Sequence, residues 1–266
     1  MDFTGKVALI TGGGNGIGRA TAVGFAKNGA KIVVVDRDRD GGEGTAGIIR
    51  QQGGNAVFVA ADVTRSADVQ AYVKAALDAF GAIDCFHNNA GIEGKVAHTA
   101  EYDEDTFDAV MGVNVKGVFL GLRHVLPVML RQNSGAIVNT ASVAGLMGSP
   151  GMSAYVASKH AVIGLTKVAA GEVARAGVRV NAVCPGPIDT RMIHSLHSMV
   201  NPDDPASVGE RYQAGIPIGR YGTAEEIANV VMFLCSDLAS NITGAQYVVD
   251  GGRTATPGAV TAVLQR

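Results

Sequence analysis

A tyrosine and a lysine four residues apart, Tyr155 and Lys159, are the first candidates for chemistry in this sequence. Residues 153–176 have a helical pattern, so the spacing predicts that both side chains lie on one face, one turn apart. A tyrosine hydroxyl normally loses its proton at roughly pH 10, but a neighbouring ammonium group favours the phenolate. The pair therefore indicates a proton-transfer group, although a solvated helix face can have the same spacing.

Two further polar side chains are predicted near this pair. Ser142 follows the fifth strand-like run, where its hydroxyl would orient a substrate oxygen and stabilise the charge that develops on it. Asn114 lies within the long helical run before that strand. We expect Asn114 to hold a helix distortion or a water molecule rather than to touch the substrate.

A glycine-rich turn, TGGGNGIG at residues 11–18, joins the first strand-like run to a helix-like run. Gly12 permits the tight turn, Gly16 lets the backbone approach a pyrophosphate, and Gly18 allows close packing of the helix on the sheet. Amide groups at the helix N-terminus would then face the phosphates. Because a strand and a helix flank the turn, it predicts a dinucleotide site to which Asn15 and Ile17 also belong.

Acidic residues at the ends of the next two strands bear on the choice of nucleotide. A carboxylate at Asp36 would accept hydrogen bonds from the adenosine ribose and repel a 2′-phosphate, which favours NAD over NADP. The alternatives are that Asp36 only caps the following turn, or that the guanidinium of Arg37 binds a phosphate. Asp62 and Val63 are expected at the adenine, with a helix cap as the alternative role of Asp62.

Small residues follow the fourth strand-like run, in the sequence NNAG at residues 88–91. Turn-forming and small residues at that edge would allow the backbone to contact a ribose. The predicted cofactor contacts there are Asn89, Ala90 and Gly91.

Seven short apolar runs alternate with six longer helix-patterned runs, and this order defines the predicted fold. The strands are predicted at 6–11, 31–36, 55–60, 83–87, 136–140, 178–183 and 246–249, and the helices at 16–28, 40–52, 66–80, 103–131, 153–176 and 223–236. Continuous apolar runs are typical of strands buried on both faces. The pattern predicts one α/β domain over residues 1–266, a Rossmann-like, doubly wound, mostly parallel seven-stranded sheet flanked by helices on both faces.

Composition and charge limit the classes of function. The chain has 266 residues, of which 47% are hydrophobic, and 22 Lys and Arg stand against 24 Asp and Glu. This balance, with neither sign gathered in long blocks, argues against nucleic acid or an anionic membrane as a partner. Lys116 and Arg123 interrupt the most apolar helical run, so no membrane span is expected. Three separated cysteines and an N-terminus without a signal-peptide pattern favour a reducing, cytoplasmic location.

The segment at about 190–218 is the least regular part of the chain, and it is predicted to be a lid over the substrate. His194 and His197 lie in it without a third ligand at firm spacing, so they are expected to be lid residues and no metal site is predicted. Flexible apolar side chains in and before the lid suit a substrate pocket, although core packing gives the same pattern. These residues are Met147, Met152, Met192 and Leu196.

From about residue 5 to residue 253, the order and spacing of the sequence motifs resemble those of the classical short-chain dehydrogenase/reductase family. The motifs are TGGGNGIG at 11–18, Asp36, Asp62-Val63, NNAG at 88–91, Asn114, Ser142, YVASK at 155–159, PGPIDT at 185–190 and VDGG at 249–252. The resemblance implies a catalytic set of Ser142, Tyr155 and Lys159, assisted by Asn114, in an exchange between a secondary alcohol and its ketone. Lys159 would also lower the pKa of Tyr155.

The same resemblance implies further contacts and an assembly. Pro185, Gly186, Ile188 and Thr190 would bind the cofactor, with the last two at the nicotinamide. The family is typically homotetrameric, so Gly117 and Gly121 would lie at an interface, although packing within one subunit explains them equally well. Apolar residues in the tail would cover a neighbouring subunit or form a frayed end. They are Val260, Val263 and Leu264.

The apolar lid favours a small, uncharged alcohol, and the resemblance of the lid and the C-terminal half to cyclic-alcohol and dihydrodiol-type dehydrogenases of the family implies that a cyclic alcohol is one candidate. Two alternatives share the same motifs. One is a 3-oxoacyl-thioester reductase serving acyl carrier protein, against which Asp36, Asp203 and Asp204 argue; the other is a sugar or polyol dehydrogenase. A catalytically silent NAD(H)-sensing regulator is an alternative of another class, and the intact catalytic set argues against it.

Overall fold

The continuous apolar runs form strands at all seven predicted places. In the computed structural model, which describes residues 1–255, they are β1 (Val7–Thr11), β2 (Lys31–Asp36), β3 (Ala56–Ala60), β4 (Cys85–Asn88), β5 (Gly135–Thr140), β6 (Val178–Pro185) and β7 (Gln246–Val249). They form one sheet in the order β3-β2-β1-β4-β5-β6-β7, and every neighbouring pair is parallel. The predicted doubly wound sheet is confirmed.

Helices cover both faces of this sheet. They are α1 (Gly16–Lys27), α2 (Arg39–Gln51), α3 (Ser66–Phe80), α4 (Glu104–Met111), α5 (Gly117–Gln132), α6 (Ser153–Val173), α7 (Arg191–Val200), α8 (Pro205–Ala214) and α9 (Ala224–Cys235). Val7 and Leu9 of β1 pack in a core with α3, α5 and α6, whereas Ala8 and Ile10 pack in a second core with α1, α2 and α9. Both faces of the strand are therefore buried, which is why the run is apolar without alternation.

The strand order reverses between β1 and β4. Chain connections leave the sheet in opposite directions at this point, so a crevice opens at the carboxyl ends of these two strands. The glycine-rich turn follows β1, and the NNAG motif overlaps the end of β4. The fold therefore brings both motifs to one edge of the sheet.

The long helix predicted at 103–131 consists of three pieces. Between α4 and α5, residues Gly112–Lys116 form a π-helical segment that contains Asn114. Within residues 1–255, the run Glu104–Gln132 is long and apolar enough by length and composition to cross a membrane, with half of the window buried inside the fold. Lys116 and Arg123 therefore do not exclude a span by composition, but the apolar side chains pack against the sheet.

The lid is not irregular as predicted, because it contains α7 and α8. Helix α7 buries Ile193, Leu196 and His197 along one face. Helix α8 begins with Asp204 as its cap, whose carboxylate accepts a hydrogen bond from the Ser207 amide at 3.2 Å. An Asp-Pro step that suggests a loop is here the start of a helix, since proline is well tolerated in a first helical turn.

Gly117 and Gly121 allow α5 to approach the sheet and the loop after β3. A Cβ at Gly117 would lie 2.9 Å from Val63 Cγ2, and a Cβ at Gly121 would lie 2.8 Å from Asn88 Nδ2. Packing within one subunit thus accounts for both glycines. Val260, Val263 and Leu264 lie outside the described residues.

Candidate active site

The glycine-rich turn is held in one shape by its backbone geometry and by α1. Gly12 has a φ of +63° and Gly16 a φ of +49°, which other residues rarely adopt. A Cβ at Gly18 would lie only 2.0 Å from the Gly12 carbonyl oxygen, so only glycine lets α1 start this close to the turn. The guanidinium of Arg19 adds a hydrogen bond to the Gly14 carbonyl. The turn therefore leaves an open cradle at the N-terminus of α1.

Asp36 joins the glycine-rich turn to the end of β2. Its Oδ2 accepts a hydrogen bond from the Gly14 amide at 2.8 Å, and its Oδ1 accepts one from the Asp38 amide at 2.9 Å. The half-buried side chain also lines the crevice, beside Arg37. Asp36 thus holds the following turn, as one alternative predicted, and presents its carboxylate to the crevice.

Asp62 shapes the loop after β3 and does not cap α3. Its Oδ1 accepts hydrogen bonds from the amide and the hydroxyl of Thr64, both at 2.8 Å, whereas the cap position of α3 is Arg65. Burial raises the pKa of Asp62, but the Thr64 hydrogen bonds and the charges of Arg37 and Arg65 lower it overall. Asp62 is therefore a fixed carboxylate in the crevice wall.

Thr11 fastens the end of β4 to the end of β1. Its hydroxyl oxygen accepts hydrogen bonds from the amides of Asn89 and Ala90, at 2.9 and 3.1 Å. The Asn89 side chain donates back to the Thr11 carbonyl at 3.0 Å and accepts a hydrogen bond from the Thr140 hydroxyl at 3.1 Å. These contacts fix three neighbouring strand ends around the crevice.

Tyr155 and Lys159 lie one turn apart at the start of α6, as predicted. The Lys159 Nζ is 5.5 Å from the centroid of the Tyr155 ring and donates a hydrogen bond to the Thr140 carbonyl at 2.8 Å. Ser142 follows β5, and its Oγ accepts a hydrogen bond from the Ala144 amide at 3.1 Å. Helix α6 and the chain after β5 thus place the phenol, the ammonium group and the serine hydroxyl on one wall of the crevice.

Burial shifts the pKa values of Tyr155 and Lys159 in the directions that favour the neutral form of each side chain. It lowers the pKa of Lys159 to about 8. It raises the pKa of Tyr155 to about 12, with a hydrogen bond from Ser142 acting in the opposite direction and the charge of Glu93 raising it further. The predicted lowering of this pKa by Lys159 is therefore not found: burial is the largest cause of the shift, and Ser142 is the group that opposes it.

Asn114 braces the loop after β4 from the π-helical segment. Its Oδ1 accepts a hydrogen bond from the Ile92 amide at 2.9 Å, and its Nδ2 donates to the Ile92 carbonyl at 2.9 Å and to Ser158 Oγ at 3.0 Å. The side chain is 1% exposed and does not line the crevice. As expected, Asn114 lies at a helix distortion.

A single pocket of about 550 Å³ gathers nearly all of the predicted site. Of the predicted cofactor residues, only Gly18 does not line it, because it lies under the turn. The lining cofactor residues are Gly12, Asn15, Gly16, Ile17, Asp36, Arg37, Asp62, Val63, Asn89, Ala90, Gly91, Tyr155, Lys159, Pro185, Gly186, Ile188 and Thr190. Ser142 lines it too, with the predicted substrate residues Met147, Met152, Met192 and Leu196.

Comparison with known proteins decides the family. A family model described as Enoyl-(Acyl carrier protein) reductase matches residues 12–254. The chain is 46% identical over 255 residues to levodione reductase of Leifsonia aquatica, covering 95% of this chain and 96% of that protein. It is 43% identical over 252 residues to cyclohexanol dehydrogenase of Acinetobacter sp. (strain SE19), with 95% and 96% covered. The chain belongs to the short-chain dehydrogenase/reductase family.

Solved structures agree with this assignment. The crystal structure of levodione reductase superposes with a TM-score of 0.94 at 45% identity, covering 96% of this chain and 99% of that one. The crystal structure of NAD+-bound xylitol dehydrogenase gives a TM-score of 0.90 at 38% identity, with 95% and 100% covered. This short-chain dehydrogenase/reductase is therefore an oxidoreductase that acts on alcohol groups.

Some pocket residues of this family member were not predicted. Glu93 lies next to Ile92 in the loop after β4, and Tyr212 and Arg253 come from α8 and the chain after β7. The Arg253 guanidinium carbon lies 5.3 Å from the centroid of the Tyr212 ring. A single charged residue in a loop has no periodic signal, so only the position of Glu93 two residues after the NNAG motif pointed toward the crevice.

The lid histidines have structural partners. His194 Nε2 lies 2.8 Å from Asp189 Oδ1, and the buried His197 lies 3.0 Å from the Tyr221 hydroxyl. In the part of the chain that the structure describes, no group of three or more His, Cys, Asp or Glu side chains is arranged to hold a metal ion. Cys184 is also buried, and burial raises the pKa of its thiol to about 11, which disfavours the reactive thiolate.

Proposed function

We propose that this enzyme oxidises a small, uncharged cyclic secondary alcohol to its ketone, and catalyses the reverse reduction, with NAD as its cofactor. The observation that carries the proposal is the single pocket in which Tyr155, Lys159 and Ser142 meet both the glycine-rich turn and an apolar wall. A dinucleotide cradle next to a proton-transfer group supports a dehydrogenase.

The residues present fit a dinucleotide. The open turn at Gly12 and Gly16 would take the phosphates at the N-terminus of α1. The carboxylate of Asp36 would bind the adenosine ribose, and Lys159 and Thr190 would lie at the nicotinamide end. When bound, NAD would supply a nicotinamide ring that accepts or returns a hydride ion, which is a proton with two electrons.

The protein's own part in the reaction is to hold and move one proton. In alcohol oxidation, the deprotonated Tyr155 would take the proton of the substrate hydroxyl, and in ketone reduction the protonated Tyr155 would return it. Ser142 would orient the same oxygen and stabilise its charge. Because burial holds the pKa of Tyr155 at about 12, its deprotonation would draw on the positive charges of Lys159 and of the oxidised cofactor.

Asp36 supports NAD over NADP. Both of its oxygens are fixed by backbone amides, so the carboxylate would not swing away from a 2′-phosphate. A negatively charged group brought beside it would be repelled. Arg37 lies on the same wall and favours the opposite preference, which makes Asp36 the residue to test.

The substrate class is supported by the pocket wall and by two relatives. Met147, Met152, Met192 and Leu196 give the wall beside Tyr155 an apolar character that suits ring carbons. The relatives are named for cyclohexanol and for levodione. A 3-oxoacyl reductase serving acyl carrier protein is the second candidate, because the crystal structure of 3-ketoacyl-(acyl-carrier-protein) reductase from Brucella melitensis superposes with a TM-score of 0.87 at 40% identity.

The test is the initial rate of NAD reduction with cyclohexanol, with xylitol and with a 3-hydroxyacyl thioester, with NADP in parallel. We expect cyclohexanol to be oxidised with NAD and the rate to be lost in Tyr155→Phe. Preferred turnover of the thioester would replace the proposal by the acyl reductase. Turnover of none of the three, by folded protein that binds NADH, would favour the sensing role.

A homotetramer and a cytoplasmic location stay predictions. Phe119 on α5 and Val168 on α6 are 45% and 60% exposed, and such large apolar side chains at the surface support an interface on these helices. The described cysteines are all free and buried, which suits a reducing compartment. Light scattering of the purified protein tests the assembly.

A further inference from the structure

Glu93 places a carboxylate in the part of the pocket wall that surrounds Tyr155. It lines the same pocket as Tyr155 and is half-buried, and its charge contributes to raising the pKa of the Tyr155 hydroxyl. Asp36 and Asp62 also line the pocket, but Asp36 ends β2 and Asp62 follows β3, on the side proposed for the nucleotide. Glu93 therefore brings a negative charge to the end of the pocket where the substrate reacts.

The neighbours of Glu93 hold it in place. Asn114 binds both the amide and the carbonyl of Ile92, the residue before it. Gly94, the residue after it, has a φ of +76°, and the next amide, that of Lys95, donates a hydrogen bond to the Tyr102 hydroxyl at 3.2 Å. The backbone at Glu93 is thus fixed on both sides, as a specificity-determining side chain requires.

Within residues 1–255, the half-buried carboxylate of Glu93 has no hydrogen bond or ion pair to another protein group, and it lines the pocket. Three cations of the pocket and the adjoining loop have other contacts: Lys159 with the Thr140 carbonyl, Lys95 with Asp103 at 3.8 Å, and Arg253 with the Tyr212 ring. Arg37 and Arg191 also line the pocket, and neither forms an ion pair with Glu93 within the described residues. A ligand that fills the pocket and displaces water would leave this carboxylate without a donor, which is unfavourable. A hydroxyl group on the ligand would supply the donor.

We propose that Glu93 accepts a hydrogen bond from a second hydroxyl group of the substrate, so that the enzyme prefers cyclic diols to simple cyclic alcohols. This inference rests on the proposed function and names its substrate class more narrowly. The apolar wall formed by Met147 and Met152 would contact the ring carbons. A carboxylate only accepts hydrogen bonds, so a second ketone oxygen would gain nothing and an anionic substituent would be repelled.

The experiment compares kcat/KM for cyclohexanol with kcat/KM for the positional isomers of cyclohexanediol, in wild type, Glu93→Met and Glu93→Gln. Wild type is expected to prefer at least one diol by about tenfold or more, the effect of a hydrogen bond to a charged group. Glu93→Met has similar size and only a weak thioether acceptor, so the preference should nearly vanish. Glu93→Gln retains an amide oxygen and should keep part of it.

The two variants separate hydrogen bonding from charge. Both remove the carboxylate, so both should lower the pKa of Tyr155 and shift the pH profile of oxidation to lower pH for every substrate. Only Glu93→Met should make kcat/KM for the preferred diol equal to kcat/KM for cyclohexanol. A wild type without preference for any diol, or a Glu93→Met variant that keeps the preference, overturns the inference.

A binding measurement keeps this inference distinct from the proposed function. Calorimetry in a Tyr155→Phe background with NAD present gives the affinities of cyclohexanol and the diols without turnover. Tighter binding of a diol that is lost on adding Glu93→Met supports the role of Glu93 even if the wild-type reaction proves to be another one. If the diols bind no more tightly than cyclohexanol in Tyr155→Phe, both with and without Glu93→Met, the inference is refuted. Failure of wild type to oxidise any of these alcohols refutes the proposed function instead.

Discussion

Replacing Asn114 by alanine tests whether one buried side chain fixes the loop that carries Ile92. The change removes three hydrogen bonds, two to the Ile92 backbone and one to Ser158. At about 1 kcal/mol each, their loss amounts to about 3 kcal/mol, from which the better helix propensity of alanine recovers roughly 0.5 kcal/mol. We therefore expect the free energy of unfolding to fall by about 2–3 kcal/mol.

Urea denaturation followed by circular dichroism measures this loss as a lower midpoint at unchanged slope. Asn139→Ala is the control, because Asn139 is equally buried and its side chain makes one hydrogen bond, to Thr166, outside the pocket. We expect Asn139→Ala to keep kcat/KM and Asn114→Ala to lower it, since the loop at Ile92 would shift. The bracing role of Asn114 would be refuted if Asn114→Ala had an unfolding free energy within about 0.5 kcal/mol of wild type and an unchanged kcat/KM.

Four other predictions concern single residues. Asp36→Ala should lower the preference for NAD over NADP by about tenfold or more, measured as a ratio of kcat/KM values, since the repelling charge is lost. Gly18→Ala should strongly lower Tm in a thermal scan, because the new Cβ would lie 2.0 Å from a backbone carbonyl oxygen of the turn. The raised pKa of Tyr155 makes alcohol oxidation rise with pH and ketone reduction fall at high pH, and flat profiles for both directions would contradict its role. His87 Nε2 lies 2.9 Å from the Thr140 hydroxyl, so His87→Gln, which keeps a donor there, should retain more activity than His87→Leu.

The sheet and the cofactor half of the site follow from patterns that are local in the sequence. Each strand carries its own apolar run, and the glycine-rich turn needs only its flanking strand and helix to be interpreted. Asp36 lies at a strand end, and the ends of parallel strands meet at one edge of the sheet. These features were predictable because each depends on a few adjacent residues.

The remaining features depend on contacts between distant residues. The π-helical segment contains Asn114, whose side chain holds Ile92 22 residues earlier in the chain, and no periodicity reports such a bond. Helix α8 was missed because Asp204 and Pro205 form a step that occurs both in loops and at helix starts. The direction of the pKa shift of Tyr155 depends on how much water the folded chain excludes, which the residue spacing does not indicate.

The lid has a small apolar core of its own. Met152, Ile193, Leu196, Ile216 and Tyr221 form a cluster that is separate from the two cores of the sheet, and three of them also line the pocket. Substitutions that reshape the substrate wall would therefore disturb packing in the lid and leave the two large cores intact. Because the cost of such changes would stay local, selection or engineering has room to alter what this enzyme accepts while the nucleotide-binding half of the chain remains as it is.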